Sequence, residues 1–128
     1  MTRVSPGNTQ VVRPAGAGHE TLYVLLLCLI ILAVALRYAV TAAAMDVPVE
    51  LHAVGGAITL LRHDALDAGV LAQVQQATAL GAALYACPAA LADHHLAADQ
   101  LIGEVSGVRG AASLLAAGFE PGARFMVF

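Results

Sequence analysis

The sequence predicts an α/β fold: a small open, mainly parallel five-stranded sheet with helices on both faces. Two observations carry this. Short apolar runs that read as strands alternate along the chain with segments of helical spacing, the pattern of βαβ units. The chain is also 128 residues long, a single-domain length that supports one core without disulfide or metal staples.

Residues 1–20 hold two prolines, three glycines and no apolar periodicity, and they predict a flexible tail. Residues 21–128 are then the α/β domain. Residues 22–36 are fifteen in a row without a polar side chain except the Tyr23 hydroxyl. One reading splits this stretch into a buried strand at 22–28 and a helix at 31–45, since buried parallel strands read as continuous apolar runs. The alternative makes 22–45 a transmembrane helix, which wants roughly 20 apolar residues, ahead of a truncated α/β domain. A cleaved signal peptide ending at Ala42-Ala43-Ala44 is the third reading. The split is preferred because it supplies the first βα unit that the rest of the chain requires.

After the turn at Asp46-Val47-Pro48, residues 49–54 alternate as a strand does. Gly55-Gly56 opens a short helix at 57–62, and residues 63–69 are a loop. Val70, Leu71, Val74, Ala77 and Leu80 recur at helical spacing, with Gly81 placed as a C-terminal cap. A strand at 82–86 ends at Cys87-Pro88, followed by a weak helix or turn at 88–95. Residues 101–105 predict a short strand, 108–117 a helix and 124–128 the last strand. Right-handed crossovers bring the carboxyl ends of all these strands to one edge.

Composition excludes several function classes. Lysine is absent, six arginines are scattered and the net charge is −3, so there is no basic stripe for a nucleic acid. A 59% apolar content with 12% charged residues is the reverse of a disordered chain, although 28 alanines inflate the apolar figure. Two cysteines 59 residues apart give neither a disulfide framework nor a CxxC motif. Asp93-His94-His95 lacks metal-ligand spacing, because adjacent histidines do not point the same way on a helix or strand. No metal and no organic cofactor is expected.

Cys87 is the leading candidate for chemistry. It ends a strand, and Pro88 sits at the first position of a possible helix, making Cys87 the N-cap. A thiol there meets unpaired amide protons and the positive end of the helix dipole, surroundings suited to an anionic sulfur. Open parallel sheets bind ligands beyond the carboxyl ends of their strands, which is where Cys87 falls. His52, Gly55 and Gly56 are expected on the same edge; a glycine pair between strand and helix admits close backbone approach of an anion, or simply a tight turn. Cys28 would end the first strand and reads as a core cysteine.

Three segments carry a resemblance: ALRYAVTAAAMDVPVELHAVGGAITLL (35–61), ATALGAALYACPAAL (77–91) and LIGEVSGVRGAASLLAAG (101–118). From Ala35 onward the chain resembles the DsrE-like family of small sulfur-handling proteins. The resemblance implies a small parallel α/β sheet, a trimer or hexamer, and sulfur carried as a persulfide on the residue matching Cys87. It implies sulfur-donor and sulfur-acceptor proteins as partners, and a cytoplasmic location. The chain departs from the family pattern at Leu29-Ile30-Ile31-Leu32, where a polar loop is usual, in the short 62–70 loop and in Pro88 directly after the cysteine. The rival reading is a non-enzymatic oligomeric adaptor, or an inner-membrane subunit anchored through residues 22–45.

Overall fold

A computed structural model describes residues 3–4, 11–12, 20–26 and 32–128. Five strands, β1 (Thr21–Leu26), β2 (Val49–Ala53), β3 (Ala83–Ala86), β4 (Gly107–Val108) and β5 (Ala123–Val127), form one sheet in the order β4-β3-β2-β1-β5. Every pairing in it is parallel. Helix α1 (Leu32–Ala44) joins β1 to β2, and α2 (Ala68–Ala79) joins β2 to β3. The short α3 (Pro88–Asp93) follows β3, and α4 (Ala111–Gly118) precedes β5. The α/β class expected from sequence is therefore what forms.

The order of the strands explains the layers. The chain steps from β1 through β4 in one direction across the sheet, so its right-handed crossovers fall on one face. There α1 packs on β1 and β2 and against α2. The return from β4 to β5 runs the other way and puts α4 on the opposite face, with Gly118 against the Phe125 ring. The main core lies on the first face: Val24 and Leu26 from β1, Leu51 and Ala53 from β2, and Leu36 and Ile58 above them, all at most 3% exposed. Alanines at 35, 39 and 43, all buried, form the stripe that lets α1 approach the sheet closely. The opposite face is thinly covered, because no residue of α4 is buried.

The two described ends of the apolar stretch settle how it is used. Residues 22–26 lie in a strand flanked by β2 and β5, and residues 32–44 are the helix packed on it. No helix among the described residues is long and apolar enough to cross a membrane. The alternative of a transmembrane helix with a truncated domain is thereby overturned: β1 makes ladders on both sides, and a span would leave β2 and β5 without their shared neighbour.

Three element boundaries differ from expectation. Residues 101–105 are not a sheet strand. Leu101 makes only an isolated antiparallel bridge to Arg62, while Leu101 and Ile102 bury their side chains. The strand that pairs with β3 is Gly107–Val108, in register with Tyr85 and Ala86. Gly107 fits beside the Tyr85 ring, where an added β-carbon would meet Cε1 at 3.7 Å. Val108 is thus a strand residue, and the helix begins three residues later than expected, at Ala111, with Gly110 as N-cap. Helix α2 starts earlier than its apolar pattern, because the Asp67 side chain caps it by accepting from the Val70 amide at 2.8 Å. The tail reading of residues 1–20 lies mostly outside the described residues; within it, Arg3–Val4 pairs antiparallel with Val11–Val12.

Candidate functional site

The carboxyl ends of β1, β2, β3 and β4 meet along one edge. Val54, after β2, donates its amide to Leu26 O of β1 at 3.1 Å. Cys87, after β3, donates to Ala53 O at 3.1 Å, and Arg109, after β4, donates to Ala86 O at 3.0 Å. Strands β1, β2 and β3 thus each hand their last carbonyl to the residue that leaves the neighbouring strand.

Cys87 sits on this edge as the N-cap of α3, with extended backbone (φ −78°, ψ 125°) and Pro88 in the first turn. Its carbonyl accepts from the Leu91 amide at 3.0 Å, closing the first helical turn. The residue is partly buried and packs against the core margin, and its thiol is free. Pro88 beside it is exposed. Gly55 and Gly56 begin a 3-10 helix (Gly55–Leu61) directly after β2. Gly55 has φ +54°, a left-handed conformation that a side chain resists, which is the physical reason for glycine at this turn. Cys28 lies outside the described residues.

His52 belongs to a different environment from the one expected. Strand alternation puts it on the thinly covered face, with Glu50 two residues before it. Its ring is 3% exposed and lies between Tyr23 and Tyr85, with centroids 6.2 and 5.3 Å away. Nε2–H donates to Glu50 Oε1 at 3.0 Å, because a carboxylate oxygen only accepts. The same oxygen accepts from Arg109 Nη1 at 3.2 Å, and the Arg109 guanidinium lies 4.1 Å over the Tyr85 ring. Tyr23 stacks in turn on Phe125, centroids 5.1 Å apart. A polar triad thus crosses an aromatic floor.

Burial holds the His52 pKa below its ordinary 6.5, outweighing the stabilising bond and charge of Glu50; Arg109 pushes it down further. Burial also raises the Tyr23 phenol, with Glu50 adding to the effect. For His52 the unfolded chain binds the proton more readily than the folded one. Its contribution to stability is therefore complete above the unfolded value and is lost as pH falls from there to the folded value. The slope over that window is at most about 1.4 kcal/mol per pH unit. Urea unfolding of the wild type and His52→Gln across this range measures it: the wild type is expected to lose the extra stability on acidification. Parallel profiles for the two proteins would contradict the assignment.

No family model matches the sequence, and no curated protein does. Solved structures do. The YchN protein of E. coli matches with a TM-score of 0.72 at 13% identity, covering 85% of this chain and 99% of its own. The MTH1491 protein of Methanobacterium thermoautotrophicum gives 0.66 at 18% identity, covering 86% and 99%. The BT1422 protein of Bacteroides thetaiotaomicron gives 0.70 at 14%, covering 90% and 100%. The last two are described as proteins of unknown function. This likeness shows the fold alone. It is a fold that the DsrE-like resemblance implied, and at these identities it carries no activity.

The structure brings Cys87, Pro88, Gly55 and Gly56 to one edge, as their positions after β2 and β3 predict. His52 directs its ring to Glu50 and the two tyrosines. Sequence reasoning missed Glu50, Arg109, Tyr23 and Tyr85. For Glu50 a signal was present, because strand alternation over 49–54 puts it on the same face as His52. For Arg109 there was none: its partners are supplied by the β4–β3 pairing, and β4 is two residues long.

Proposed function

We propose that this protein is a DsrE-like sulfur relay with Cys87 as the persulfide carrier. The observation that supports this most directly is the position of a free, partly buried cysteine at the carboxyl edge of a parallel sheet, where such sheets bind ligands. The step is a thiol exchange. The Cys87 thiolate attacks the terminal sulfur of a donor persulfide; the Cys87 Sγ–S bond forms as the donor S–S bond breaks, and the donor leaves as a thiolate. An acceptor thiolate then takes the outer sulfur and returns Cys87 to the thiolate, with no net oxidation. Pro88, Gly55 and Gly56 frame the approach, and the partners are a sulfur-donor and a sulfur-acceptor protein. A cytoplasmic setting suits a thiol kept reduced between turnovers.

Oligomerisation is part of the proposal. Phe119 is 87% exposed, and Leu115, Phe125 and Val127 are also open, all on α4, β5 or their connection. Large apolar side chains open on adjoining elements make the patch we assign to a subunit interface. The same patch favours the second reading, an adaptor built on this fold without sulfur chemistry.

Alkylation of the folded protein tests the relay reading. Iodoacetamide under native conditions is expected to modify Cys87 at a rate within about tenfold of the unfolded chain, because exchange chemistry needs an open thiol. Modification only after unfolding would make Cys87 structural and leave the adaptor reading.

A further inference from the structure

Two consecutive residues at the β4–α4 junction grip both neighbours of Cys87. The Arg109 amide donates to Ala86 O at 3.0 Å. Gly110 lies against the Pro88 ring, close enough that an added β-carbon would be 3.6 Å from Cγ. The junction is tied down by the Arg109 side chain, which reaches back over Tyr85 to Glu50 Oε1. That oxygen is also the acceptor of His52 Nε2–H.

We propose that Arg109 is a positioning residue, a pH-sensitive latch that Glu50 holds and His52 releases on protonation, seating the β4–α4 junction beside Cys87. The proposal rests on Cys87 being the working sulfur.

The release follows from two donors sharing one oxygen. While the imidazole is neutral, Arg109 is the cation that balances the Glu50 carboxylate. A second ring proton, at Nδ1, puts a full positive charge 3.0 Å from the same oxygen and faces Arg109 with a like charge. The site is half shielded, with Glu50 at 22% and Arg109 at 43% exposure, so the repulsion is weakened by water without being abolished. Coupling is reciprocal: the Arg109 charge that opposes protonation of His52 is itself held less tightly once that proton is bound. The groups facing His52 are Glu50 on its own strand, Tyr23 from β1, Tyr85 from β3 and Arg109 from the β4–α4 junction. Glu120, after α4, acts on Tyr23. Protonation therefore weakens the ion pair that holds the Arg109 side chain at the junction next to Cys87.

Amide hydrogen exchange of the full chain tests this, read at the Arg109 amide and expressed as protection so that the intrinsic pH dependence is removed. The His52 ring protons are followed in parallel. Protection in the wild type is expected to fall at least about fivefold as His52 titrates. His52→Gln is expected to show no such fall. Arg109→Gln is expected to raise the His52 titration midpoint, which a merely structural arginine would leave unmoved. Constant wild-type protection through the titration overturns the latch whether or not either variant folds, and so does a fall that survives in His52→Gln. Sulfur loading, measured separately at a pH where His52 is neutral, separates the two claims. Loading with constant protection defeats the latch alone. Failure to load defeats the relay and, with it, the purpose assigned to the latch.

Discussion

Cys87→Ser is expected to lose sulfur loading completely while the protein keeps its fold and oligomeric state. A serine hydroxyl occupies nearly the same volume at this partly exposed N-cap, so the cost in stability should stay below about 1 kcal/mol. Serine is also a good N-cap residue, where the cysteine makes no side-chain cap bond. The hydroxyl is a poor nucleophile toward a persulfide at neutral pH, and an oxygen cannot retain the transferred sulfur as a thiolate can. Loss of loading with an unchanged urea midpoint therefore isolates the chemistry from the packing. Cys28→Ser is the comparison and is expected to load as the wild type does. Loss confined to the Cys28 variant would move the site to that cysteine.

Leu36→Ala is expected to cost about 2–5 kcal/mol, the range for a buried leucine truncated in a packed core. Leu36 is 2% exposed on α1 and lies in the cluster with Val24, Leu26 and Ile58. Its neighbours on the buried helix face are Leu32 and the alanines at 35, 39 and 43, and the short alanine side chains cannot swing in to fill the void. For a domain of this size that loss is a large fraction of the whole stability. Val34, two residues away and 44% exposed, is the control: Val34→Ala should change stability by no more than about 0.5 kcal/mol. Equal, small effects at both positions would contradict the packing of α1 on the sheet, and with it the assignment of the apolar stretch to strand plus helix.

That stretch also marks how far the sequence could be read. Residues 22–26 are apolar because β1 is a strand flanked on both sides, and residues 32–36 because they open the helix that covers it; hydropathy alone reads 22–36 as a membrane span. What decided between them was the need of the later strands for a first βα unit. Gly81 was legible for a local reason, since a helix ending there needs a left-handed residue, and it has φ +101°. The β4 strand was not legible. Leu101 and Ile102 look like a strand because they are buried, but their burial comes from packing beside the 3-10 helix, and the pairing went to Gly107 and Val108 through a register that no local pattern encodes. The edge around Cys87 followed from topology and a cysteine-proline pair. The triad of Glu50, His52 and Arg109 did not, because it depends on a partner 57 residues beyond His52 that only the sheet order brings near.

The proposed relay requires that Cys87 carry sulfur. The measurement that tests it is the intact mass of the purified full-length protein after incubation with a persulfide donor, followed by peptide mapping under non-reducing conditions. A thiol-reversible gain of one sulfur atom located on Cys87 is expected. A mass unchanged by the donor, from a protein whose fold is intact, would contradict it and leave a parallel α/β subunit whose exposed α4–β5 surface is its working part.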